Sequence, residues 1–166
     1  GIEWLLNSNS NQLINSRLFN NGDFGLRISG WSNIYPSDNK VYNNYFFNRN
    51  NVEINTPNTI TNEMSTNIDC ISGPNIIGGS CIGGNFYSKI DGSGFSDHCT
   101  EALPQPGVCD EPNEFHDNAI DNYPLKNGQN TAFISVLSDD DTNYNNGHSF
   151  APSIAVDASN GHIHVV

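Results

Sequence analysis

The sequence predicts an all-β solenoid, a parallel β-helix, on three observations. Four short segments, Gly1-Ile2-Glu3-Trp4, Gly25-Leu26-Arg27-Ile28, Asn51-Val52-Glu53-Ile54 and Asn67-Ile68-Asp69-Cys70, alternate apolar with polar residues, which is the period of a strand whose faces see unlike surroundings. Their starts are separated by 24, 26 and 16 residues, close to the length of one solenoid turn. No stretch holds apolar residues at three- and four-residue spacing for three turns, so long helices are not expected.

Stacked one above another, the four segments form two inward columns, Ile2, Leu26, Val52, Ile68 and Trp4, Ile28, Ile54, Cys70. The outward column between them is a charge ladder of Glu3, Arg27, Glu53 and Asp69, with the one cation between anions at the roughly 4.8 Å spacing of neighbouring strands. Between these segments a second element recurs. The run from Ile14 to Asn21 aligns with that from Val41 to Asn48, and a shortened version spans Ile60 to Met64. Each coil then carries two or three short strands, with loops expelled at Trp31 to Asp38 and around Pro57. The coils occupy residues 1–90.

About one residue in six is Asn, a poor former of isolated helices and strands. In a stack it has a use, because Asn tolerates the left-handed backbone at corners and its amides bond to one another up a column. The net charge of −12, from 18 acidic and six basic side chains, repels phosphate backbones and anionic headgroups. Nucleic-acid partners are therefore not expected. No segment is apolar for 18 residues, so membrane insertion is not expected either, and the chain opens on Gly1 without a basic and apolar leader.

The four cysteines, Cys70, Cys81, Cys99 and Cys109, allow three disulfide pairings. The local one, Cys70 with Cys81 and Cys99 with Cys109, closes loops of about ten residues and is the cheapest in chain entropy. Metal ligation is the rival reading, without a Cys-x-x-Cys spacing to favour it. Disulfides imply an extracellular or cell-surface location.

After the last repeat come Gly84-Asn85-Phe86-Tyr87-Ser88, an acidic Gly-rich loop at Asp91 to Asp97, and Asp121-Asn122-Tyr123-Pro124-Leu125. In that order these segments resemble the closing part of NosD-type right-handed parallel β-helix proteins, a likeness covering roughly residues 1–125. The resemblance implies a right-handed coil and a cap at 91–125 whose acidic loop suits calcium. Here the alternation of carboxylates is broken by Ala102, Leu103 and prolines, leaving Asp97, Glu101 and Asp110 as candidate calcium ligands, with a Cys99–Cys109 link as the substitute cross-link.

Residues 126–166 read as a β extension. Thr131 to Leu137 is a candidate strand, and Pro152 to Val166 is a hairpin about Ser159-Asn160-Gly161 that resembles the opening of a sialidase-like β-propeller blade. Between them Asp139, Asp141, Asn143 and Asn145 alternate as oxygen donors, a second candidate calcium loop that lacks the sixth-position Gly and the closing Glu. His162 and His164 share a strand face, a weak transition-metal pattern.

Three functions compete. A chain that begins inside a repeat and ends inside a hairpin has two open β edges, which favours a structural module assembling end to end with copies of itself into a filament, sheath or adhesin. The alternative is a carbohydrate-binding or polysaccharide-cleaving domain, with neutral sugars stacking on Trp31, Tyr35 or Tyr45. Arg27 between carboxylates could be drawn as the base of a lyase, but the sequence marks no catalytic set and a charge ladder is the simpler use of it. Metal delivery, by analogy with the family name, would want Met and His clusters, and the chain has one methionine.

Overall fold

The computed structural model describes residues 1–105, 107–116, 118–126, 154–156 and 163–165. Its contacts divide into two units, Gly1–Ala132 and Phe133–Val166.

In the first unit the chain makes three successive passes of short strands. The first pass is β1 (Ile2–Leu5), β2 (Gln12–Ile14) and β3 (Arg17–Phe19), and the second is β4 (Leu26–Ser29), β5 (Lys40–Tyr42) and β6 (Tyr45–Phe47). The third is β7 (Val52–Asn55), a single bridge at Glu63, and β8 (Phe86–Ser88). Every pairing between passes is parallel: β1-β4-β7 form one sheet, β2-β5 a second and β3-β6-β8 a third.

Alternation fixes which side chains turn inward, since one residue of slip would move every apolar group to solvent. Ile2, Leu26 and Val52 stand in one register and Trp4, Ile28 and Ile54 in another. In the third sheet Leu18, Phe46 and Tyr87 form the inner column, and the Phe46 and Tyr87 rings lie parallel with centroids 5.5 Å apart. Leu26, Ile28, Val41, Phe46 and Met64 are wholly buried, each worth about 1.5–3 kcal/mol of transfer free energy.

The corners explain part of the Asn content. Ser10 and Asp38 precede β2 and β5 with φ of 57° and 58°, and Asn15 and Asn43 follow them with φ of 53°. A single left-handed residue turns the chain there without a loop, and Asn and Asp accept that conformation at lower cost than other side chains. Gly25 is needed for a different reason: a Cβ would lie 2.6 Å from the Asn48 amide nitrogen and 2.7 Å from the Asn51 carbonyl oxygen.

Two sequence-based registers need correction. The repeat sets Leu13 opposite Val41 and Leu18 opposite Phe46, one residue away from the alignment that put Ile14 opposite Val41. The matching left-handed corners at Asn15 and Asn43 decide it, because they are 28 residues apart and the strands on both sides must follow.

The segment Asn67 to Cys70 is not a fourth stacked strand. Asp69 forms an antiparallel bridge with Ile82, Cys70 is exposed, and Ile68 is only half-buried. Residues between Glu63 and Phe86 instead make an excursion clasped by the Cys70–Cys81 disulfide, and the chain rejoins the stack at β8.

Beyond β8, the single-turn α1 (Phe95–His98) packs on that strand, and β9 (Asn113–His116) and β10 (Ala119–Asp121) form an antiparallel pair. The return run bonds to the third pass through Gly84 N–H to the Tyr123 carbonyl (2.8 Å) and Leu125 N–H to the Asn85 carbonyl (2.8 Å). The Cys99–Cys109 disulfide ties the loop lying against it, where Val108 and Leu125 are buried. In the second unit β11 (Ile154–Val156) and β12 (Ile163–Val165) pair antiparallel. Among the described residues no helix is long and apolar enough to cross a membrane.

Candidate functional site

The feature that links the passes is a set of largely buried side-chain amide columns running between them. Asn11 donates from its backbone N–H (2.8 Å) and its amide (3.0 Å) to Asn39 Oδ1, and the Asn39 amide donates to Asn62 Oδ1 (2.8 Å). Asn21 donates in the same double fashion to Asn48 Oδ1, and Asn48 N–H donates to Asn51 Oδ1 (2.8 Å). The third column runs from Ser16 N–H to Asn44 Oδ1, from the Asn44 amide to Asn85 Oδ1 (2.9 Å), and from Asn85 N–H to Asp121 Oδ2 (2.7 Å).

These columns have a direction. Each rung accepts at Oδ1 from the pass before it, so the Oδ1 contacts run in one direction and reinforce one another, while the amides of Asn44, Asn48, Asn62 and Asn85 also donate back to carbonyls of the preceding pass. The third column ends on Asp121, whose carboxylate also accepts from Tyr87 O–H (3.0 Å) and Tyr123 N–H (3.0 Å). Asp121 carries no amide, so the run of side-chain amides ends there. Gly84 makes room for it, since a Cβ at that position would overlap the Asp121 carboxylate.

Full burial pushes the Asp121 carboxyl up to about 7, while the donors around it pull the other way. The folded value lies above the unfolded one near 4, so the unfolded chain loses its proton first as pH rises. Stability is expected to fall by on the order of a few kcal/mol between about pH 4 and pH 7 and then level off. Denaturant melts across that range check this, with the slope lost in Asp121→Asn.

The two ends of the stack differ. At the far end the Asp121 run and the disulfide-tied loop cover the third pass. At the near end β1, β2 and β3 each pair on one side only among the described residues, and Ile2 and Trp4 are half-exposed where Leu26 and Ile28 are fully covered. Leu5 and Phe19 add exposed apolar surface there.

Along the outer face of the first sheet, Arg27 lies between Glu3 (3.4 Å) and Glu53 (2.9 Å) and over the Phe24 ring. Asp69 is absent from this ladder. Its carboxylate instead accepts from Ile71 N–H (2.8 Å), Ser72 N–H (3.1 Å) and the Ser72 hydroxyl, bonds that hold its pKa below the usual range. The ladder side chains are 36–44% exposed. Arg27→Ala is therefore expected to cost no more than about 1 kcal/mol, shrinking further at high salt, as denaturant melts at two ionic strengths would show.

The cysteines pair Cys70 with Cys81 and Cys99 with Cys109, and none is free. The first calcium candidate is not assembled. Asp97 accepts from Ser88 Oγ (2.7 Å), Lys89 N–H (3.2 Å) and Gly94 N–H (2.8 Å), so it closes the turn after β8. Glu101 accepts from Gly107 N–H (2.7 Å), and Asp110 is exposed. Asp139, Asp141 and Asn143 lie outside the described residues. Among the described residues no three His, Cys, Asp or Glu side chains are gathered to hold an ion.

Sequence reasoning missed the Asn85–Asp121 junction, although both residues lie in the segments that carry the family resemblance, Gly84 to Ser88 and Asp121 to Leu125. It also missed that Arg49 and Lys89 share one cleft, because they stand 40 positions apart with the excursion between Glu63 and Phe86 lying between them.

Residues 1–92 match the family model described as periplasmic copper-binding protein (NosD). No curated protein and no solved structure matches the chain. Among the described residues no copper centre is assembled: all four thiols are oxidised, Met64 is wholly buried, and His98 and His116 belong to no group of three or more His, Cys, Asp or Glu side chains.

Proposed function

The chain belongs to the NosD family, a parallel β-helix type, and from that premise we propose that it is a right-handed parallel β-helix serving as a structural module outside the cytoplasm, assembling end to end with other copies through the strand edges of its first pass. The observation that supports this reading is the edge of the first pass: among the described residues β1, β2 and β3 each pair on one side only, and Ile2 and Trp4 are half-exposed. Unpaired strand edges recruit strands, and proteins that stay monomeric protect them with charge, proline or a covering element.

The antiparallel β11–β12 pair is the candidate donor of such strands. The two disulfides and the family's periplasmic description support an extracytoplasmic setting, and we place the assembly at the cell surface. The copper in the family's description is not carried over to this chain.

Sedimentation velocity and negative-stain microscopy of the native chain test the reading. Concentration-dependent elongated particles are expected, with Leu5→Lys/Gln12→Lys on the first-pass strands remaining monomeric while melting as the native chain does. A native chain that stays monomeric at high micromolar concentration would overturn it.

A further inference from the structure

Six cations serve a chain of net charge −12, and four of them are occupied. Arg27 lies between two glutamates, Lys40 pairs with Glu63 (3.1 Å), Arg17 donates to the Ile76 carbonyl and covers the Tyr45 ring, and Lys126 donates to the Cys99 carbonyl. The remaining two, Arg49 and Lys89, line the same cleft of about 630 Å³, and neither forms an ion pair within 4.0 Å among the described residues. Leaving two such groups together on so acidic a surface raises a local positive potential where the rest of the molecule is negative.

The cleft has three further properties. Its wall includes Phe47, half-buried, which continues in register with Phe19 on β3, an exposed ring. Asn20 and Asn50 at its rim are exposed amides able both to donate and to accept. Asp91 also faces it. That carboxylate is held below its usual pKa mainly by Ser93 and in smaller part by Lys89, so it stays charged and acts as an acceptor.

We propose that this cleft binds a carboxylated oligosaccharide, with Arg49 and Lys89 on the sugar carboxylates, Phe47 and Phe19 under the apolar face of a ring, and Asn20, Asn50 and Asp91 on hydroxyls. The mixture selects the ligand. Two cations beside an aromatic strip suit a sparse anion that also carries apolar and hydroxyl surface, whereas a densely charged polymer is repelled by the −12 background within a Debye length of about 8 Å. The proposed site shares Phe19 with the first-pass edge, but Arg49, Lys89 and Phe47 lie on the second and third passes, so either assignment can fail alone.

The test is a calorimetric and ¹⁵N chemical-shift titration of the full chain with oligomers of galacturonate, glucuronate and mannuronate, a neutral gluco-oligomer, an oligo-aspartate and inorganic phosphate. Saturable binding of at least one uronate oligomer is expected, shifting the amides of Asn20, Phe47 and Lys89. Arg49→Gln/Lys89→Gln weakens it about tenfold or more, the loss of a charge-assisted hydrogen bond, with unchanged melting. Phe47→Leu weakens it as well. The proposal is overturned if no uronate oligomer binds, if the double variant binds equally well, or if oligo-aspartate or phosphate binds as tightly as the best uronate.

Discussion

Asn85→Ala is expected to destabilise the first unit by about 3–5 kcal/mol, the largest loss anticipated for any polar side chain in the chain. Asn85 is wholly buried, accepts from the Asn44 amide, and presents its own amide to the Val41 carbonyl (2.9 Å) and the Met64 carbonyl (2.7 Å). Truncation leaves those carbonyls and the Asn44 amide inside the stack without water to replace the lost partner, and each such group costs about 1–3 kcal/mol. Asn85→Asp sharpens the point. It keeps the shape but sets a second carboxylate beside Asp121, so its deficit should be larger at pH 8 than at pH 5. Urea melts of both variants at the two pH values are the check; equal losses at both for Asn85→Asp would mean that the two side chains do not share the column.

Phe46→Ala should cost a comparable 3–5 kcal/mol for an unrelated reason. Its ring fills the centre of the inner column, between Leu18 and Tyr87, and removing it opens a cavity that two rigid parallel sheets cannot close. The neighbouring Phe19→Ala removes a ring of the same size from the outward face, where it is 57% exposed, and should cost less than about 1 kcal/mol. The contrast discriminates between registers. Under the alignment shifted by one residue Phe46 would stand opposite Phe19, and the two substitutions would have similar effects.

The parts of the fold that could be read from the chain are those in which one residue determines one position. Alternation around Leu26, Arg27 and Ile28 sets a strand with a buried and a solvent face, and its neighbours at Glu3 and Glu53 share the register. The abundance of Asn translated into columns because Asn39, Asn44 and Asn48 each flank a strand of the second pass and each donate from backbone N–H and side-chain amide to one Oδ1 of the next. The shift between Ile14 and Leu13 was not legible, because both are apolar and the deciding feature is a backbone angle at Asn15.

Asn67 to Cys70 misled for a related reason. Four alternating residues carry too little information to separate a strand in the stack from one side of a clasped loop. The clasp itself depends on Cys81, which lies on the return limb of the excursion. In the cap, Asp97 and Glu101 have the composition of calcium ligands, but their oxygens are taken by backbone N–H groups and the Ser88 hydroxyl, and composition does not reveal that competition. Arg49 and Lys89 come together only once the insertion between Glu63 and Phe86 is folded out of the stack, so no local pattern announces their cleft.

The claim beneath all of this is that three passes, and not four, lie in register, with the Asn67 to Cys70 segment outside the stack. Methyl-labelled isoleucine NOE spectroscopy addresses it most directly. A cross-peak between Ile28 and Ile54 is expected, since the two are register partners on one face, with none between Ile54 and Ile68. An Ile54–Ile68 cross-peak, or the absence of the one between Ile28 and Ile54, would contradict the arrangement.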